Sequence, residues 1–298
     1  MMQLTPHSPS LRRLPALAVL AAAFAVPATA HAASTVRAEV GDAAPAVHAE
    51  VGDAAPAVHA EVGDHAIALA TSGHVARGPV RLRLSGEGLA APRTVAVIEL
   101  RRGVTRADVA AAELAGLADA RAAERLGRPV AGGEVSARRD HVTTIVARAR
   151  RHAVVDVSSD SGAAATFRVG DDASGARLPA AAATLGLRDD GLRLPATLPR
   201  RGVLRIANDG RLAHAATAFR VPRSMSAADA VRAVRRGGDL DWLGARTVLT
   251  GLVSARAVNR VRIDLRRGRY VIASLYSPLA RGARPDVLRG LVGAVRVR

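Results

Sequence analysis

Histidine occurs nine times in this 298-residue chain and cysteine not at all. No thiolate can therefore attack a carbonyl, ligate a soft metal or close a disulfide, and any chemistry must use imidazole, carboxylate or hydroxyl groups. His214 has the most suggestive context. It follows the turn sequence Asn208-Asp209-Gly210. His48 and His59 lie beside carboxylates in a short repeat, where a solvated linker histidine copied by duplication is the simpler expectation. His31 would become an amino-terminal copper chelator if a leader were cleaved after Ala30.

Enzyme motifs fail on context. Gly86-Glu87-Gly88-Leu89-Ala90-Ala91 mimics a dinucleotide fingerprint, but Pro92 and a strand follow it instead of a helix. Asp160-Ser161-Gly162 mimics half of an aspartic protease, yet its repeat partner lacks the second carboxylate needed to share a proton. Neither Gly-x-Ser-x-Gly nor His-Glu-x-x-His occurs. The sequence predicts a protein that is not an enzyme.

All 43 basic residues are arginine, against 26 acids, for a formal charge of +17. This is the composition of a GC-rich bacterial gene, and charge bears on partners more than on fold. Arg81 with Arg83, and Arg260 with Arg262, sit two apart on predicted strands and so share a face. They predict a weak, nonspecific hold on anionic envelope polymers or extracellular nucleic acid. Aromatics make up only 2% of the chain, too few to build stacking platforms for single-stranded bases.

The elements that must position these residues follow from three patterns. Arg12-Arg13, the apolar run Leu14 to Val26 and the small residues Ala28 to Ala33 predict a signal peptide ending at Ala32 or Ala30, hence an exported protein, with Sec export favoured over twin-Arg. Residues 33–63 carry 11-residue copies of Ala-Glu-Val-Gly-Asp-Ala-Ala-Pro-Ala-Val-His, read as an acidic Ala/Pro-rich linker. A longer repeat then organises the remainder. Gly78 to Ser85 matches Gly202 to Asp209, Thr94 to Leu100 matches Ala216 to Val221, and capping boxes at Thr105/Asp108 and Ser226/Asp229 open a helix in each copy. Val130 to Arg138 matches Val248 to Arg256, and the strands Thr143 to Ala147 and Ala153 to Val157 match Val261 to Leu265 and Val271 to Leu275. The chain is expected to be mainly β. Two antiparallel β-sandwich domains, 64–172 and 183–298, each carry an inserted helix and are joined by a linker at 173–182.

The second copy resembles the cupredoxin family of blue-copper-type β-sandwiches. The resemblance rests on the strand from Gly202, the Asn208-Asp209-Gly210 turn leading to His214, the strand Gly268 to Leu275 and the final strand to Val297. It implies a site of two imidazoles, one thiolate and a weak axial Met, with His214 as the first imidazole. Ser274 then stands in the thiolate position, Asp286 about where the second imidazole belongs and Leu291 at the Met; a hard-ligand cation site from His214 and Asp286 is chemically admissible, and so is a turn histidine left beside a loop carboxylate. In the first copy Pro92 falls where the first His would be, and Val155 to Ser159 offers no thiolate. The expectation is a cupredoxin-like binding module at the cell envelope that carries no cofactor. The alternative is a non-blue copper-binding protein using His214 or His31.

Overall fold

The computed structural model describes residues 35–36, 56–114, 120–158, 163–236, 246–276 and 285–298. The expected leader, His31, His48 and Asp160 to Gly162 lie outside the described residues. No described helix is long and apolar enough to cross a membrane.

The first module comprises β1 (Thr35–Val36), β2 (Ala57–Val62), β3 (Ile67–Thr71), β4 (Gly78–Ser85), β5 (Arg93–Leu100), α1 (Arg106–Leu114), α2 (Ala120–Leu126), β6 (Gly127–Val135), β7 (His141–Ala147), β8 (Arg151–Asp156) and β9 (Ala164–Arg168). The second comprises β10 (Ala183–Arg188), β11 (Gly191–Arg193), β12 (Thr197–Leu198), β13 (Arg201–Asn208), β14 (His214–Arg220), α3 (Ala227–Arg235), β15 (Arg246–Val253), β16 (Val258–Asp264), β17 (Gly268–Ala273) and β18 (Val292–Val297). Each module is a sandwich. One layer is the sheet β6-β5-β8-β9 in the first and β12-β18-β17-β14-β15 in the second. The other layer is shared: a nine-stranded sheet, β1-β3-β2-β4-β7-β16-β13-β10-β11, runs through both modules. Its junction is the antiparallel pairing of β7 with β16, Thr143 opposite Val261 and Ile145 opposite Asn259. These are equivalent strands of the long repeat, so each closes the exposed edge of the other.

Alternation along each strand sorts the core. Val95, Val97 and Val154 point between the sheets of the first module, as Ala216, Ala218 and Ile272 do in the second. The intervening residues face outward beneath helices: Ile98 and Val155 pack on Val109 and Ala123, and Phe219 and Val271 pack on Ala230 and Val234. Where the sequence predicts one inserted helix in the first module there are two, α1 and α2, and α1 and α3 begin with the expected caps. The Asp108 amide donates to Thr105 Oγ1 at 3.2 Å while the Thr105 amide donates to the Asp108 carboxylate at 2.7 Å. The Asp229 amide donates to Ser226 Oγ at 3.0 Å.

The start of the first module differs from expectation. The boundary at residue 64 leaves out β2, which straddles the second and third copies of the short repeat. Val58, Ala60 and Val62 are buried, and the strand pairs parallel to β4 and antiparallel to β3. The repeat unit hides this because its Pro and Gly read as linker, whereas Ala-Val-His-Ala-Glu-Val between them has the period of a half-buried strand. His59 is consequently not a solvated linker residue: its Nε2 lies 2.8 Å from Ser85 Oγ.

Candidate functional site

The turn that delivers His214 is held by Asn208. Its buried side-chain amide donates to the carbonyls of Leu212 (2.7 Å) and Val253 (2.8 Å), and its oxygen accepts from the Gly210 amide at 2.9 Å. Three bonds satisfy this group in a place where an unmet polar atom would be costly. Glycine at 210 leaves room for Asp189, because a Cβ there would lie 2.4 Å from Asp189 Oδ1 and push that carboxylate aside.

His214 is fully buried and lies between two carboxylates. Its Nδ1 is 2.7 Å from Asp286 Oδ2, and its Nε2 is 3.0 Å from Asp189 Oδ1. Ser274, at the end of β17, donates from Oγ to the same Asp286 oxygen at 2.6 Å and accepts from the Ala215 amide at 3.2 Å. Arg289 lies 3.4 Å from Asp286 Oδ1 and also donates to the main-chain carbonyl of Asp189. The Leu291 amide donates to the Asp286 carbonyl, and the Ser274 amide donates to the Leu291 carbonyl. Asp286, Ser274 and Leu291 are all fully buried. The four positions singled out in the second copy thus meet in one cluster.

Asp189, in the turn after β10, was not singled out from the sequence. Its signal was modest: an acid in the turn Asp189-Asp190-Gly191. Burial opposes its ionisation. Amide hydrogen bonds from Arg211 and Leu212, together with His214, outweigh that and hold its carboxyl below the usual carboxylate range. In this position it orients the imidazole as an outer-shell carboxylate orients a metal-binding histidine.

The donor set does not fit the copper centre implied by the family resemblance. That centre needs a thiolate, and the chain has none. Nor do the remaining groups converge: the two carboxylates bind opposite edges of one ring, and a cation would have to displace one of them to reach a nitrogen. Among the described residues no group of three His, Cys, Asp or Glu side chains could hold a metal ion.

The first module has a counterpart, in a register different from the expected one. Val95 pairs with Asp156, while Thr217 pairs with Ala273, one rung short of Ser274. Asp156 therefore corresponds to Ser274 and Arg93, not Pro92, to His214. A shift of one residue exchanges the faces of a strand, and Arg93 shares the inward face of Val95 as His214 shares that of Ala216. Arg93 lies 3.1 Å from Asp64, in the turn after β2, and 3.9 Å from the fully buried Asp156. Asp156 also accepts from the amide and hydroxyl of Ser158, each at 2.8 Å.

The four arginines proposed to bind anions lie on the shared sheet, with Arg81, Thr144, Arg260 and Arg205 in one cross-strand row. Arg83 is engaged by Asp140 at 2.8 Å. Arg260 donates to the Pro179 carbonyl of the inter-module segment at 3.3 Å, and burial followed by the charge of Arg205 depresses its pKa. Arg262 is exposed.

No protein-family model matches the sequence, and no curated protein matches it. Among solved structures, the chain is similar to dithionite-reduced auracyanin from the photosynthetic bacterium Roseiflexus castenholzii, at 15% identity over 40% of this chain and 99% of that one, with a TM-score of 0.25. It is also similar to the copper nitrite reductase of Nitrosomonas europaea, at 10% identity over 81% of this chain and 93% of that one, with a TM-score of 0.23. The copper-containing nitrite reductase of Thermus scotoductus SA-01 shows 11% identity over 81% and 61%, with a TM-score of 0.24.

Proposed function

We propose that this chain is an exported, cupredoxin-like protein that works as a non-enzymatic binding module at the cell envelope, with side-chain networks where copper ligands would stand. One observation carries the reading: both ring nitrogens of the buried His214 are held by carboxylates, Asp286 at 2.7 Å and Asp189 at 3.0 Å. A histidine so committed serves packing and orientation rather than metal capture. The Arg93 cluster in the first module supports the same reading, because guanidinium offers no lone pair to a metal. Metal analysis of protein purified in its exported form tests it. The expected result is no stoichiometric metal. Tightly bound copper near one ion per chain would overturn the reading in favour of a non-blue copper protein using His214 or His31.

A further inference from the structure

We infer that the second module carries a binding cleft for linear oligo-oxyanions, such as chains of phosphate or sulfate groups. The cleft lies where β14 ends, β17 begins and β18 ends. It encloses about 1150 Å³ and is lined by Arg220, Arg223, Arg267, Arg269, Arg296 and Arg298, with Val221, Pro222, Gly268 and Val297 between them. No lining side chain is acidic. Among the described residues, none of the six arginines forms an ion pair, although other arginines of the chain do.

The strand pairing concentrates this charge. Arg269 and Arg296 stand directly opposite across β17 and β18, an arrangement that like charges ordinarily disfavour. Arg296 and Arg298 are two apart and share a face. Two of the guanidinium groups are braced in place: Arg269 donates to the carbonyls of Arg223 and Met225 at 3.1 and 2.9 Å, and Arg220 donates to the Arg267 carbonyl at 3.4 Å. These bonds fix direction without neutralising charge, so the cleft presents held guanidinium donors whose charge no acid among the described residues meets. Planar guanidinium matches the oxygens of phosphate and sulfate in paired hydrogen bonds. The lining contains no aromatic ring, so nothing would stack on a base, and the ligand is recognised by its chain of anionic groups.

This inference deepens the binding-module reading by giving it a ligand class, and its readout is independent of metal content. The test is binding of end-labelled short-chain inorganic polyphosphate to the full chain by fluorescence anisotropy across a salt series. A heparin-derived oligosaccharide in parallel distinguishes phosphate from sulfate. Arg267, Arg296 and Arg298 make no side-chain hydrogen bond among the described residues, so Arg267→Gln/Arg296→Gln/Arg298→Gln is expected to leave the fold intact, which circular dichroism checks. It is expected to weaken binding about tenfold or more and to make the log–log salt dependence shallower by about two, as three lost anion contacts require. The equal-charge control Arg138→Gln/Arg168→Gln/Arg188→Gln, on exposed residues elsewhere, is expected to stay within about twofold. Equal losses in the two triples would overturn the cleft. So would failure of the wild type to bind either probe, or binding indifferent to salt. A single-stranded DNA of matched charge that binds far more tightly than polyphosphate would overturn recognition without base contacts.

Discussion

The two modules solve one structural problem with different chemistry. At the head of the second strand of the helix-covered sheet, the first module places Arg93 and the second His214. Each inward-facing cation-capable group meets a carboxylate from the turn after the module's first long strand, Asp64 or Asp189. Each also lies near the end of the late strand, where Asp156 or Ser274 stands. The first module holds its arginine loosely, with the Asp156 contact at 3.9 Å and Asp64 half-exposed. The second encloses its histidine completely and adds to the half-buried Asp189 a fully buried carboxylate, Asp286, from the C-terminal loop. The difference teaches that the position itself, at the mouth of the sandwich, must be filled by a polar group. Whether that group becomes a rigid buried network depends on what the C-terminal loop contributes.

The largest expected effect breaks the second network. Asp286→Ala leaves the fully buried Ser274 Oγ and His214 Nδ1 without their shared partner and leaves Arg289 with only the Asp189 carbonyl. Urea unfolding should show a loss of about 3–5 kcal/mol, the usual cost of removing one partner of a buried charged pair. A loss below about 1 kcal/mol would mean that the network is wetter and looser than described.

Next comes a pH effect that originates in a residue of the first module. His141, at the start of β7, is buried beside Gly133, and desolvation lowers its pKa to about 4. The matching repeat position is Asn259. Glu134, Arg139, Asp140, Arg262 and Asp264 line the neighbouring cavity, yet no hydrogen-bond partner reaches His141 Nε2. Between the folded value and the ordinary one near 6.5 the unfolded chain binds the extra proton. Stability is therefore full above about pH 6.5 and falls by about 3 kcal/mol as pH drops towards 4. His141→Asn should flatten that segment of the stability–pH curve measured by chemical unfolding.

Arg93→Met sharpens the comparison, because Asp156 keeps two hydrogen bonds from Ser158 when the guanidinium is lost. Chemical denaturation should give a loss of about 2 kcal/mol, smaller than for Asp286→Ala. The smallest effects are expected at the helix caps, where the modules are most alike. Thr105→Ala and Ser226→Ala should each cost about 1 kcal/mol, and a large disparity between them would show that the two helices do not bear equally on their sheets.

Much of this architecture was legible in the sequence because its signals are local or periodic. Strand alternation, the capping boxes and the spacing of the long repeat all depend on neighbours in the chain, and they gave the sandwich and the inserted helices. His214, Ser274, Asp286 and Leu291 could be assembled from the repeat and the family resemblance. What stayed hidden depends on register and long-range contact. Pro92 and Arg93 are adjacent, and only the pairing of Val95 with Asp156 decides which of them faces inward. Asp189 lies 25 residues before His214 and meets it only after β10 has joined β13. β2 was masked by the Pro and Gly of its own repeat unit. The arginine cleft gathers residues from three strand ends, separated by up to 78 positions, that no single window of sequence contains.

Under the proposed reading, His214, Ser274, Asp286 and Leu291 stand at ligand positions of a cupredoxin-like site and hold one another instead of a metal. The most direct test is the visible absorption spectrum of folded Ser274→Cys/Asp286→His/Leu291→Met protein after addition of Cu(II), read beside the wild type. The triple variant supplies a thiolate, a second imidazole and a thioether around His214 Nδ1, with Asp189 still orienting the ring from Nε2. The account predicts an intense thiolate-to-copper band in the variant and none in the wild type. A folded variant that stays colourless with Cu(II) would contradict it, since those side chains would then not converge on one metal.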